Sequence, residues 1–213
     1  MAIKINEIFY SIQGESSYTG FPTVFIRTSG CNLRCGYCDT AYAYYSGRVM
    51  SEDDIVAEVQ KHRAQYVCVT GGEPMVQKEV LPLMKRLCDL GLKVSLETSG
   101  SIDCHDVDVR VKKIIDVKTP DSGEVESFCK ANLDFIDVNT EFKFVICSER
   151  DFEWAENFAT TNHIFEKSNV LYSPAFRRVE EKWLAKKILS KSSPARLQLQ
   201  LHKYIWFPHS RGV

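Results

Sequence analysis

Short apolar runs alternate with longer stretches of helical periodicity along this 213-residue chain. Val, Ile, Phe and Tyr are enriched in six of the short runs, at 23–27, 66–70, 93–97, 113–117, 142–146 and 169–172. Each has the length and composition of a buried strand. Between them apolar residues recur at helical spacing. The clearest case is 78–90, where Val80, Leu81, Met84, Leu87 and Cys88 share one stripe and Gly91 follows as a stop. Ser51 with Asp54 reads as a capping box opening a helix that reaches about position 62. Further helices are expected over 124–131, 152–160 and 179–190. Such alternation builds βαβ units, right-handed crossovers and a mostly parallel sheet. Six strands are too few for the eight of a closed barrel. The expected fold class is therefore α/β, a single-domain incomplete (open) (β/α) barrel spanning 1–213, with its chemistry at the C-terminal strand ends.

Composition narrows the partners. The 27 Lys and Arg nearly cancel the 28 Asp and Glu, which gives no electrostatic case for nucleic acid or for a membrane surface. No charged-then-apolar leader opens the sequence, and no apolar run approaches ~18 residues. A chain of this length can bury a continuous core without disulfide staples.

Candidate chemistry enters directly after the first strand. Cys31, Cys35 and Cys38 are spaced C-x-x-x-C-x-x-C with no fourth cysteine nearby. A cubane [4Fe–4S] cluster normally takes four thiolates, so three leave one iron open, and open coordination is where metal chemistry happens. S-adenosylmethionine offers an amine and a carboxylate that suit such an iron. A structural zinc site would need a fourth ligand from Cys68, Cys88, Cys104, Cys129 or Cys147, none of them in a paired motif. A disulfide framework fits worse, because these five lie singly, mostly among apolar residues, as buried thiols do. The iron–sulfur reading is preferred. It requires a reducing compartment, hence the cytoplasm.

A second motif, Val69-Thr70-Gly71-Gly72-Glu73-Pro74, closes the next strand. Its glycines allow backbone to approach a ligand, and Glu73 adds charge for a ligand ammonium. Taken alone it reads as an ordinary strand-to-helix turn. Its place one strand after the cysteine loop favours the ligand. Glu97-Thr98-Ser99-Gly100 and Asp116-Val117-Lys118 supply polar groups at two further strand ends, with solvated loops as the alternative.

These motifs resemble those of the radical S-adenosylmethionine enzymes. Joined to the opening Asn6–Glu15, to Thr19-Gly20-Phe21-Pro22, and to Gln200-Leu201-His202-Lys203 near the end, they closely resemble the 7-carboxy-7-deazaguanine synthase family across the whole chain. The resemblance implies ring contraction of 6-carboxy-5,6,7,8-tetrahydropterin to a deazapurine acid with loss of ammonia, feeding queuosine synthesis. It implies a [4Fe–4S] cluster on Cys31, Cys35 and Cys38, with reductive cleavage of S-adenosylmethionine to a 5′-deoxyadenosyl radical. Tyr37, Cys38, Asp39, Gly72, Glu73, Thr98, Ser99, Asp116, Val117 and Lys118 would contact that cofactor. Ile12, Gln13, Gly14, Glu15, Arg27, Thr70 and His202 would contact the pterin, with Arg27 matched to its carboxylate. Thr40 would ligate Mg²⁺, an ion that favours oxygen donors. An external electron donor such as a flavodoxin and a homodimer are implied as well.

The chain departs from the family pattern twice. Ser16 follows Glu15 where a second glycine is usual, and Asp116-Val117-Lys118 replaces a Ser-Pro-Lys triplet. A glycyl-radical-enzyme activase would share both cofactor motifs, but acts on a protein glycine and has no use for Gln13 and Arg27. A module that only binds iron or zinc leaves the glycine motif unexplained.

Overall fold

The computed structural model describes residues 1–207 and 210–213. Its strands form one nine-stranded sheet: β1 (Ala2–Ile12), β2 (Pro22–Thr28), β3 (Arg48–Ser51), β4 (Tyr66–Gly71), β5 (Lys93–Thr98), β6 (Lys112–Asp116), β7 (Thr140–Ile146), β8 (Asn169–Pro174) and β9 (Arg196–Leu197). The spatial order is β3-β1-β2-β4-β5-β6-β7-β8-β9. From β2 to β9 every neighbouring pair is parallel, whereas β1 runs antiparallel to both β2 and β3. The sheet stays open, because β3 and β9 end it without pairing among the described residues. The six expected strands are β2, β4, β5, β6, β7 and β8.

Three strands were not expected. β1 alternates polar and apolar residues weakly, β3 has four residues and β9 two, so their pairing partners create them more than their own composition does.

The helices are α1 (Glu52–Gln60), α2 (Val80–Asp89), α3 (Glu149–Thr161), the single turn α4 (Ile164–Lys167), α5 (Glu181–Lys191) and the short α6 (His202–Ile205). Ser51 caps α1 by accepting a hydrogen bond from Asp54 N at 3.1 Å, and Ser148 caps α3 through Asp151 N at 3.3 Å. The helix expected over 124–131 does not form. Two 3₁₀ turns, Val125–Ser127 and Lys130–Leu133, stand there instead. Tertiary bonds explain the difference: Cys129 N donates to Gly100 O at 2.8 Å, and Asn132 Nδ2 donates to Gly100 O and Ile102 O. These contacts pull the segment onto the β5 end and break its i→i−4 ladder.

Alternation along each strand sorts residues between two faces. Val24, Ile26, Val67, Val69, Val94 and Leu96 pack under α1 and α2 in one core cluster. Ile115, Val117, Phe142, Phe144, Val170 and Tyr172 pack with α3 and α5 in a second. The intervening residues Phe25, Arg27, Thr70, Glu97, Asp116 and Lys143 line the opposite, concave face. Among the described residues no helix is long and apolar enough to cross a membrane.

Candidate active site

The concave face encloses a cavity of about 760 Å³ at the C-terminal strand ends, within the range of small-molecule sites. The cysteine loop after β2, the glycine turn after β4, the β5 and β6 ends and the C-terminal segment all reach it. Eighteen residues of the expected constellation line it: Ile12, Gln13, Gly14, Glu15, Arg27, Cys31, Cys35, Tyr37, Cys38, Asp39, Thr40, Thr70, Gly72, Thr98, Ser99, Asp116, Lys118 and His202.

Two expected residues do not line it. Val117 is fully buried in the helix-side core beside Phe142 and Phe144, because strand alternation turns its side chain away from Asp116 and Lys118. Only its backbone is left for a ligand. Glu73 is also fully buried. Its carboxylate accepts from Thr98 Oγ1 at 2.8 Å, from Ser99 N and Oγ at 2.6 and 2.5 Å, and from Met75 N at 3.0 Å. Glu73 thus clamps the glycine turn to the β5 end, and its charge is held inside that turn rather than on the cavity wall. Gly72 explains the other side of that clamp. A Cβ there would lie 2.3 Å from Gly30 O and 2.7 Å from Cys31 Cβ, so glycine lets the turn lie directly against the cysteine loop.

All three loop cysteines are free thiols, Cys31 and Cys35 half-buried and Cys38 exposed. Burial raises Cys31, and pushes Cys35 up to about 11 despite the nearby Lys118 ammonium. Both are thus protonated at neutral pH until a metal displaces the proton. Among the described residues no cluster of His, Cys, Asp or Glu is tight enough for a single metal ion. A cubane presents its irons at separate corners, each able to take one thiolate from this loop. Tyr37 Oη is a buried polar atom without a hydrogen-bond partner among the described residues, and Tyr37 lines the same space, as expected of a group that meets a ligand. The donor set fits the implied cluster and cofactor.

Charges on the floor are paired. Arg27 Nε bonds Glu7 Oε1 at 2.8 Å, and its guanidinium lies 5.6 Å from the Phe9 ring centroid and 5.9 Å from that of Tyr42. Among the described residues its two terminal nitrogens make no hydrogen bond. Glu15 meets Lys143 Nζ at 2.6 Å and Gln200 Nε2 at 2.7 Å. Burial alone would raise its pKa, but Lys143 and His202 hold it below the usual range. Asp116 is likewise depressed against its burial by Lys118 and Lys143, at 3.0 and 3.1 Å. Glu97 differs: burial and the Glu15 charge raise it, and among the described residues it is bonded by Thr70 Oγ1 at 3.1 Å and more loosely by Gln13 Nε2 at 3.5 Å. Gln13 Oε1 in turn accepts from Glu15 N at 3.2 Å. Its carboxamide is thus turned to its own neighbours. Asp39 pairs with Lys203 at 2.8 Å, and Thr40 Oγ1 donates to Asp39 Oδ1 at 3.0 Å.

Glu7, Phe9, Gln200 and Lys203 entered the sequence reading only within the motif stretches at the two ends, without a role, and Tyr42 and Lys143 were not singled out. Lys143 did carry a signal, as a lysine inside an apolar strand run.

Comparison with known proteins agrees with this arrangement. The model of the radical SAM superfamily matches residues 25–141. A 7-carboxy-7-deazaguanine synthase of Chlorobaculum tepidum is 44% identical over 99% of this chain and 97% of its own length. The chain belongs to the 7-carboxy-7-deazaguanine synthase family of radical SAM enzymes. A second member of this family, from Koribacter versatilis, is 45% identical over 99% of this chain and its own full length. The fold is that of QueE from Escherichia coli, with a TM-score of 0.79, 24% identity and 95% of each chain covered. The open parallel sheet and the cavity at its strand ends are thus the radical SAM scaffold.

Proposed function

We propose that this chain converts 6-carboxy-5,6,7,8-tetrahydropterin to 7-carboxy-7-deazaguanine with loss of ammonia, as the family name of its relatives implies. The observation that carries the reading is that one cavity brings the three-cysteine loop together with Arg27, Glu15 and Thr70. The cofactor motif and the substrate motif thus face one another across the same space.

Cys31, Cys35 and Cys38 hold the cluster, which when bound supplies the electron that cleaves S-adenosylmethionine. The backbone of Gly71, Gly72 and Val117 approaches that cofactor, with Asp116, Lys118 and Tyr37 beside it. Arg27 is oriented by Glu7 through Nε, so its outer edge is presented for two parallel bonds to the pterin carboxylate. Glu15, Thr70 and His202 bound the pterin ring, and the backbone of Ile12, Gln13 and Gly14 supplies further contacts. Glu73 fixes the glycine turn through Thr98 and Ser99, and those two residues line the cavity where the cofactor binds. Thr40 would hold Mg²⁺ through its hydroxyl oxygen, whose lone pairs stay free while its hydrogen is donated to Asp39.

The protein works in the cytoplasm as a homodimer and takes its electron from a flavodoxin-like donor. The deciding experiment is anaerobic turnover of reconstituted protein with reductant, S-adenosylmethionine and the tetrahydropterin acid, followed by mass analysis for the deazapurine acid. Turnover that instead places a radical on a glycyl-radical protein would replace this reading with an activase.

A further inference from the structure

Lys143 sits on the concave side of β7, with its neighbours Phe142 and Phe144 in the helix-side core. It is 7% exposed. Its ammonium lies between two carboxylates, 2.6 Å from Glu15 Oε2 and 3.1 Å from Asp116 Oδ2. The row continues at both ends. Gln200 Nε2 donates to the other oxygen of Glu15 at 2.7 Å, and Lys118 Nζ pairs with Asp116 Oδ1 at 3.0 Å. A chain of alternating charge therefore crosses the cavity floor from the C-terminal segment to the β6 end. Glu15 belongs to the half assigned to the pterin, and Asp116 and Lys118 to the half assigned to S-adenosylmethionine.

We propose that Lys143 is a positioning residue that ties the two halves of the cavity together, so that the two ligands bind interdependently. This rests on the function proposed above. Burial disfavours a lone ammonium, but Glu15, Asp116 and Glu97 together keep Lys143 charged. Neither carboxylate can therefore move without moving the ammonium that the other also uses. A ligand that draws Glu15 into place sets Lys143, and through it Asp116. By linkage the second ligand acts back on the first by the same factor.

The test uses the reconstituted protein under anaerobic conditions without reductant, so that nothing turns over. S-adenosylmethionine and the tetrahydropterin acid are each titrated alone and in the presence of the other. In wild type each ligand tightens the other several-fold. Lys143→Met should weaken both by about tenfold or more, since it leaves two buried carboxylates without their shared cation, and should bring the coupling factor to one. Lys143→Arg should restore both affinities. Lys112→Met is the control, because Lys112 pairs with Glu141 at 3.4 Å without lining the cavity. It should lower thermal stability while leaving both affinities and the coupling in place. If Lys143→Met does not fold, the Lys143→Met/Glu15→Gln double variant removes one charge of each sign, and its coupling factor should likewise be one.

The proposal is overturned if wild type binds both ligands without coupling. Loss of only one affinity in Lys143→Met, or equal losses in Lys112→Met, would overturn it too. A wild type that binds S-adenosylmethionine but not the pterin refutes the functional reading as well.

Discussion

A Cβ on Gly14 would lie 2.0 Å from His202 Nδ1 and 2.9 Å from His202 N. The motif loop after β1 and the C-terminal helix α6 thus touch at a point where any side chain is excluded. Leu201 N donates to Gly14 O at 3.0 Å beside it. Gly14→Ala should push α6 off the cavity, with an overpacking cost of ~1–3 kcal/mol. Limited proteolysis should then cut the C-terminal segment faster, and pterin affinity should fall. Unchanged cleavage and affinity would show that the contact is dispensable.

His202 itself sets a pH dependence. Burial pulls its pKa below the usual imidazole value, with Glu15 partly opposing. The unfolded chain takes up this proton near pH ~6.5 while the folded chain resists it. The unfolded state then holds more protons, so stability falls as pH drops through the window just below ~6.5. Urea unfolding of wild type and His202→Gln at pH 7.5 and 5.5 isolates the effect. The slope of wild type should exceed that of the variant, and equal slopes would remove His202 from the account.

Cluster ligation should depend on Cys31, Cys35 and Cys38 alone. Anaerobic reconstitution should load about four irons per wild-type chain, as a cubane requires, and none on the triple alanine variant. Cys68, fully buried, and Cys147, outside the cavity, should be replaceable without losing iron. Iron analysis with the cluster's visible absorbance decides between these outcomes.

Glu73→Ala should cost ~1–3 kcal/mol, because Ser99 N and Met75 N lose a buried acceptor. Glu73→Gln keeps an acceptor oxygen and should lose less. Chemical denaturation measures both, and S-adenosylmethionine binding by Glu73→Gln separates a clamp from a ligand contact. Affinity near wild type supports the clamp, and its loss would return Glu73 to the cofactor's binding set.

Ser16 shows why a glycine is usual after Glu15 in this family. Its φ is +68°, in the left-handed region, and it is 2% exposed. An L-residue there costs ~1–2 kcal/mol. Ser16→Gly should therefore be neutral or stabilising, since loss of the Ser16 Oγ bond to Tyr18 N offsets part of the gain. Ser16→Val should be clearly destabilising, because branched side chains tolerate this region least. Equal thermal midpoints for the two variants would contradict the backbone argument.

Local patterning by itself determined the parallel strands and the α/β class. Runs such as 66–70 and 142–146 carry their burial in composition, and α1, α2, α3 and α5 carry theirs in periodicity, with serine caps at α1 and α3. Covalent spacing likewise determined the cysteine loop, since Cys31, Cys35 and Cys38 are close in sequence and so must be close in space. Tertiary structure alone decided whatever depends on a partner far along the chain. The segment 124–131 has helical periodicity, but bonds to Gly100 and Ile102 remodel it. Glu73 has the charge to meet an ammonium, but Thr98 and Ser99, brought beside it by strand pairing, already take that charge. Lys143, Glu15 and Asp116 stand on three elements separated by more than a hundred residues from first to last. Asp116 and Lys143 face each other directly across the β6–β7 pairing, and Glu15 reaches them only because the loop after β1 folds over the same floor.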